Sequence, residues 1–227
     1  MIKILNKLIS KIKKEHYELN ENITFAYIFH ICAIRLFQVI RGFVRLHRFP
    51  IFIGKGVSIK GKSFLKVGNG TTLDNNVDID AFSENGVVLG NNVKIGANTI
   101  ICGSGSLKVS GKGLKMGNNS SVGEYSYFGS AGGISVGDDV MMGQNVRFHA
   151  QNHHFNELDK NIRDQGVYQK GIAIGNDCWI GSGVVFLDGV NVGSGVVIGA
   201  NTLVNKDIPS NSIAVGNPVK IIKKRGK

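Results

Sequence analysis

The chain has 227 residues, room for one domain or one domain with a short extension, which excludes a many-domain assembly. Glycine supplies 31 residues, about twice its usual share, yet proline supplies only 3, so neither collagen nor a proline-rich disordered chain is indicated. The formal charge of +11 sits at the two ends, with nine Lys/Arg against three Glu in residues 1–50 and five Lys/Arg after position 219; the rest is neutral, unlike the basic body of a nucleic-acid binder. Cys32, Cys102 and Cys178 stand far apart with no CxxC pair, which argues against a disulfide framework or a cysteine zinc site and fits a reducing cytoplasm.

The first stretch, MIKILNKLISKIKKEHY, sets Ile2, Leu5, Leu8, Ile9 and Ile12 at helical spacing, with Lys3, Lys7, Lys11, Lys13 and Lys14 between them, and so predicts a basic amphipathic helix. The next apolar run, Ile23 to Ile34, is 12 residues long and stops at Arg35, too short for a bilayer span of about 20. No small-residue cleavage site follows, so export is not expected. These helices either pack over the body or make peripheral membrane contact.

From Ile53 onward one pattern returns every six residues: an aliphatic residue, usually Gly, two small or polar residues, a small or β-branched residue and a free position. The hexads IGNDCW, IGSGVV, FLDGVN, VGSGVV, IGANTL and VNKDIP run in succession from Ile174 to Pro209. Six is not a helical period, whereas a short strand followed by a corner explains a turn residue at a fixed phase. Gly, Asn and Asp accept positive φ, which is read here as the reason for the glycine excess. Three sides close a coil of 18 residues. Ile174, Ile180, Phe186, Val192 and Ile198 point inward at the first phase, and Cys178, Val184, Val190, Val196 and Thr202 at the fifth. The chain thus divides into a helical basic extension (1–50), a β-solenoid (51–209) and a basic tail (210–227). The pattern slips around Ile79–Val88 and Leu107–Met116, and it vanishes between His153 and Ile172, where a long loop (154–171) leaves the solenoid. Such an excursion from a rigid scaffold is a functional candidate.

Asn152-His153, Gln165-Gly166, Trp179-Ile180-Gly181 and Gly216-Asn217-Pro218 follow in order over this repeat. With them the chain resembles the hexapeptide-repeat acyltransferases over about residues 51–221, and most closely the sugar O-acetyltransferases of bacterial capsule, O-antigen and exopolysaccharide. The resemblance implies an all-β solenoid, a left-handed parallel β-helix, assembled as a homotrimer. It also implies acetyl-CoA as donor and a sugar or oligosaccharide as acceptor, with no nucleic-acid partner. The family's catalytic His falls on His153, which would act as general base because imidazole titrates near neutrality. In the hexad FHAQNH, Phe148 and Asn152 are read as interior and His153 as the corner residue; Asn152, His154 and the lone tryptophan, Trp179, are the candidate acceptor contacts. Gly181, Ser182, Gly199, Ala200, Asn205 and Lys206 match the coils that carry the cofactor, with Lys206 suited to a phosphate. The N–H groups near Gly181 and Ser182 are candidates for the oxyanion, and Glu157 or Asp159 for orienting His153. Tyr125 stands where some relatives carry an acceptor-binding Asn. His149 and His154 imitate the His-x4-His of β-helical carbonic anhydrases, but no histidine lies between His47 and His149 to complete a zinc site, so no metal is expected. N-acetylation of an amino sugar nucleotide and a noncatalytic binding scaffold remain the alternatives.

Overall fold

The computed structural model describes residues 10, 18–20, 22–103 and 110–226; the basic helix expected over the first 17 residues therefore lies outside the described residues apart from Ser10. Helix α1 spans Phe25–Leu46, and the Tyr27 N–H donates to Thr24 Oγ1 at 3.3 Å, the side-chain cap expected of a threonine just before a helix. The expectation that the apolar run ends at Arg35 is corrected. Arginine is a good helix former, and α1 runs on for eleven residues past it. By length and composition α1 is the one helix among the described residues that could cross a membrane. By compactness the chain divides inside α1 into residues 1–37 and 38–227. In the second unit Arg41 Nε donates to the Ile53 carbonyl at 2.7 Å and Arg45 Nη1 to the Val57 carbonyl at 2.6 Å. Gly42 packs so closely against Ile51 that a Cβ there would strike its carbonyl.

From Phe52 the chain winds as the three-sided parallel solenoid that the hexads predict, the left-handed β-helix that the resemblance implies. One sheet stacks Phe52–Ile53, Thr72–Leu73, Lys94–Ile95, Ser121–Val122, Met141–Met142, Trp179–Ile180 and Val197–Ile198. A second runs from Ser58–Lys60 to Leu203–Val204, and a third from Leu65–Val67 to Asn191–Val192. All ten residues assigned to the interior between Ile174 and Thr202 are buried. In the second sheet the middle residue of each three-residue strand points inward, and Phe128, Phe148 and Phe186 stack with ring centroids 4.8 and 4.7 Å apart. Burial of such a column, at about 25 cal/mol per Å² of apolar surface, is the main favourable contribution in a solenoid whose strands are only two or three residues long.

The corners revise the account of glycine. Positive φ is needed at the fourth hexad position, filled along one edge by Gly56, Asn76, Asn98, Tyr125, Asn145, Gly183 and Asn201. Glycine at the second position has no such φ. At Gly181 a Cβ would lie 2.5 Å from the Ala200 N, so the residue is glycine because the next coil passes against it. At the third position side chains form a ladder: the N–H groups of Asn69, Asn91, Asn118, Asp138, Asn176 and Ser194 each donate to the side chain of the equivalent residue one coil on, ending at Ser210.

All three irregularities fall on the edge between the second and third sheets, where residues 81–86, 103 with 110–113, and 150–171 leave the coil. Part of the middle one, residues 104–109, is not described. The basic tail expected from residue 210 is also corrected: Ser212–Val215 extends the first sheet in parallel, and Lys220–Lys224 turns back antiparallel against it, with Arg225 Nη1 2.9 Å from Asp177 Oδ2.

Candidate active site

The long excursion is an ordered hairpin. Asn152–His153 pairs antiparallel with Val167–Tyr168, and the His154 N–H donates to the Gly166 carbonyl at 3.1 Å. Gln165 clamps its interior: Nε2 donates to the carbonyls of Glu157 and Lys160, both at 2.8 Å, and Oε1 accepts the Glu157 N–H at 3.1 Å. Asp188 ties down its base, accepting from the N–H of Lys170 at 2.9 Å, from that of Gly171 at 2.7 Å and from Asn152 Nδ2 at 3.4 Å. Asn152 is thus not an interior residue. It is half-buried, with its amide turned to Asp188, because the coil ends its inward alternation at buried Ala150 and the chain then peels away.

The hairpin leaves His153 exposed in its first strand, and His154 packs its ring 5.0 Å from Tyr168. Neither Glu157 nor Asp159 contacts His153; Glu157 instead pairs with Lys160 at 3.8 Å.

On the first sheet Gly143, Trp179, Gly181, Ser182, Gly199 and Ala200 line one open cavity of about 440 Å³, backed by Ile213 and Val215. Four of the six residues expected to hold the cofactor therefore come together beside Trp179, a residue 58 % exposed. Asn205 and Lys206 do not join them. They lie past Leu203–Val204, at the next edge, because a hexad occupies one side and the following hexad must turn to another. The cavity is floored by glycines and walled by apolar groups, which suits a thin flexible chain such as a pantetheine arm.

Two donors in this cavity, the Ser182 and Ala200 N–H groups, are open among the described residues. The side-chain ladder caps third-position N–H groups along one edge. On the neighbouring edge, between the first and second sheets, Lys55 is the one third-position residue among those described whose N–H is capped in this way, by Asn75 Oδ1 at 2.8 Å, and the residue one coil on from Ser182, Ala200, carries no acceptor. Among the described residues the Ser182 N–H has no acceptor, while its hydroxyl donates to Gln144 Oε1 at 2.7 Å. The Gly181 N–H, expected to face an oxyanion, is already committed to the Ile198 carbonyl at 2.8 Å. His153 and this cavity belong to different parts of the solenoid: the cavity lies on the first sheet, the imidazole on the hairpin that follows the second.

A second cavity of about 700 Å³ lies on the second sheet, lined by Asn98, Ile100, Tyr125, Tyr127, Arg147 and His149 among others. Tyr125 has φ 60° and is 66 % exposed; a bulky side chain in this backbone region is strained, and its neighbours on the edge are all Gly or Asn. Burial, then the nearby Arg147, lowers the His149 pKa below the ordinary imidazole value; burial, then Cys102, raises that of Tyr127. Their rings lie 5.6 Å apart. Sequence reading passed over Tyr127 and Arg147, although both occupy outward phases flanking an inward Phe. Cys178 is buried, and that burial lifts its thiol pKa. Among the described residues no group of His, Cys, Asp and Glu is placed to hold a metal.

A model of the bacterial transferase hexapeptide (six repeats) matches residues 171–206, and one of the hexapeptide repeat of succinyl-transferase matches residues 81–102. A putative acetyltransferase of Schizosaccharomyces pombe is 45 % identical over 92 residues, which are 40 % of this chain and 43 % of that protein. A probable acetyltransferase of Mycobacterium tuberculosis is 34 % identical over 128 residues, 56 % of this chain and 40 % of the relative. The matched segments thus span less than half the length of these two relatives. Among solved structures, an N-acyltransferase from Bacillus cereus in complex with dTDP-4-amino-4,6-dideoxyglucose and coenzyme A shares the fold at 20 % identity and a TM-score of 0.52, over 78 % of this chain and 82 % of that one.

Proposed function

We propose that this chain is a hexapeptide-repeat acyltransferase and, within that family, an acetyl-CoA-dependent O-acetyltransferase acting on a sugar hydroxyl of a bacterial surface polysaccharide or its precursor, a reading supported by the two repeat models and by the acetyltransferase relatives. The observation that carries this reading is that the one long departure from the coil is a clamped hairpin with an exposed imidazole, His153, in its first strand. Acetyl-CoA supplies the acetyl group as an activated thioester. His153 accepts the proton of the acceptor hydroxyl as the oxygen attacks, and returns it to the departing sulfur. No covalent acyl-enzyme is needed. The open Ser182 N–H is a donor for a carbonyl of the bound arm, and Trp179 gives the groove an aromatic wall. The groove and the imidazole are completed across neighbouring subunits of a homotrimer, in the cytoplasm, where acetyl-CoA is available.

Acetyl transfer to a panel of sugars, followed by thiol release, tests the proposal. His153→Ala is expected to lower kcat about 10²- to 10⁴-fold with acetyl-CoA binding retained. Undiminished transfer would remove His153 from the mechanism, and absence of acetyl-CoA binding by the intact protein would favour a scaffold. An N-acyltransferase of this fold binds an amino sugar nucleotide, and the same base would serve an amine, so hydroxyl and amino acceptors are assayed side by side.

A further inference from the structure

The third sheet carries a trough that the acetyl-transfer reading does not use. It holds about 820 Å³ and runs over the outward side of Val87–Leu89, Leu114–Met116, Ile134–Val136 and Ile172–Ile174. The strand register sets Val88, Lys115, Ser135, Ala173 and Asn191 in one outward column, so two small residues in succession beyond Lys115 make the hollow. On the edge where the excursions leave, Gly86, Gly113, Gly133, Gly171 and Gly189 fall in register, all at positive φ. The residues just before them form a second column: Asn85, Lys112, Gly132, Lys170 and Asp188. Lys112 and Lys170 therefore stand two coils apart, about 10 Å, with no side chain at Gly132 between them. Their stems lie against glycines of the next coil: a Cβ on Gly133 would meet Lys112 Cβ at 3.3 Å, and one on Gly189 would meet Lys170 Cδ at 3.1 Å.

We infer that this trough binds a diphosphate ester. Charge selects the ligand. Residues 51–219 carry no net charge, yet no Asp or Glu occurs between Glu84 and Glu124, the run that supplies Lys112 and Lys115. Among the described residues no carboxylate lines the trough and none pairs with Lys112, Lys115 or Lys170, whereas Lys94, Lys160 and Arg225 have acidic partners. Asp188, at the foot of the second column, is turned to the N–H groups of Lys170 and Gly171. Three like charges gathered in one trough repel, and a ligand with two neighbouring negative charges removes that cost. Chemistry narrows the anion. A carboxylate is matched by the planar fork of arginine, and no arginine lines the trough; lysine is a compact point charge with three donors, suited to phosphate oxygens that approach from several directions. Lys112 and Lys170, each on a four-carbon stem, close on two linked phosphates above Gly132, and the Ser135 hydroxyl on the floor adds a neutral donor beside Lys115. On the acetyl-transfer reading both coenzyme A and a nucleotide-linked sugar carry such a group; binding of the diphosphate itself does not rest on that reading.

Calorimetric titration of the full chain with inorganic pyrophosphate tests this without acetyl transfer, so its outcome is separate from that of His153→Ala. Pyrophosphate is expected to bind the parent, more weakly as salt is raised. The double substitution Lys112→Gln and Lys170→Gln, both at exposed positions, is expected to weaken binding about tenfold or more with thermal unfolding unchanged. Lys55→Gln with Lys60→Gln removes the same charge away from the trough and is expected to leave binding as it was. A parent that does not bind, binding that the Lys112 and Lys170 substitutions leave intact, or an equal loss in both double variants would each overturn the inference; the last would mean an unspecific effect of charge. Uridine diphosphate and coenzyme A are then titrated into the parent and the Lys112→Gln, Lys170→Gln variant. A loss of affinity for uridine diphosphate assigns the trough to the nucleotide of the acceptor, and a loss for coenzyme A assigns it to the donor. A loss for neither would overturn the assignment to a diphosphate ester.

Discussion

At the scale of single residues, Ala200 is informative for what it lacks. Along the edge from Asn69 to Ser210 each third-position N–H is capped from the following coil, a side-chain bond that ties successive coils together at the corner. Ser182 lies on the neighbouring edge, where Lys55 is capped in this way by Asn75 but Ala200 offers Ser182 no acceptor, which leaves a donor at the cavity beside Trp179 for the proposed acyl-CoA arm. Ala200→Asn should close that ladder. The asparagine, placed as Asn75 is placed under Lys55 on the same edge, takes the Ser182 N–H, and one hydrogen bond to the proposed cofactor is lost, about 0.5–1.5 kcal/mol. The expected result is a KM for acetyl-CoA raised up to about tenfold, kcat little changed, and a melting temperature equal to or slightly above that of the parent. A KM that does not move would mean that the open amide faces no ligand.

Elements show what the hexads do and do not encode. The hairpin is rigid because Gln165 satisfies three backbone groups within it, while Asp188 fixes its base; this makes the Gln-Gly motif a structural clamp that holds His153 in place. Gln165→Ala therefore should raise amide exchange across residues 154–166 and lower kcat, with the unfolding of the solenoid unchanged because no core residue is touched. If exchange rises and turnover does not fall, the geometry of the loop is irrelevant to His153. Alternation made the inward residues legible from Ile174 to Thr202, since apolar burial repeats with the period itself. It did not reveal why Gly181 is glycine: that reason is the backbone of Ala200 one coil on, a contact between residues nineteen positions apart that no local pattern announces. Nor did it foresee that α1 passes Arg35, because a single charge interrupts an apolar run in the sequence without interrupting a helix. The strand Ser212–Val215 escaped notice for a related cause, its hexad having lost phase although its edge of the sheet still offered partners.

On the scale of the whole molecule, the decisive fact is that a solenoid keeps its sides apart. The groove on the first sheet and the imidazole on the hairpin are carried by different parts of one chain, and the proposed homotrimer would join them by setting the groove of one copy against the imidazole of the next. That arrangement is tested by mixing two inactive proteins. His153→Ala keeps an intact groove; Ala200→Trp, at an exposed position, fills the groove and keeps the imidazole. Each homo-oligomer should be inactive. When equal amounts are dissociated and reassembled together, a site is whole only where the His comes from an Ala200→Trp subunit and the groove from a His153→Ala subunit, half of each, so activity should return to about one quarter of the parent value. A site contained in one chain gives no recovery at any mixing ratio, because every chain in the mixture lacks one half of it.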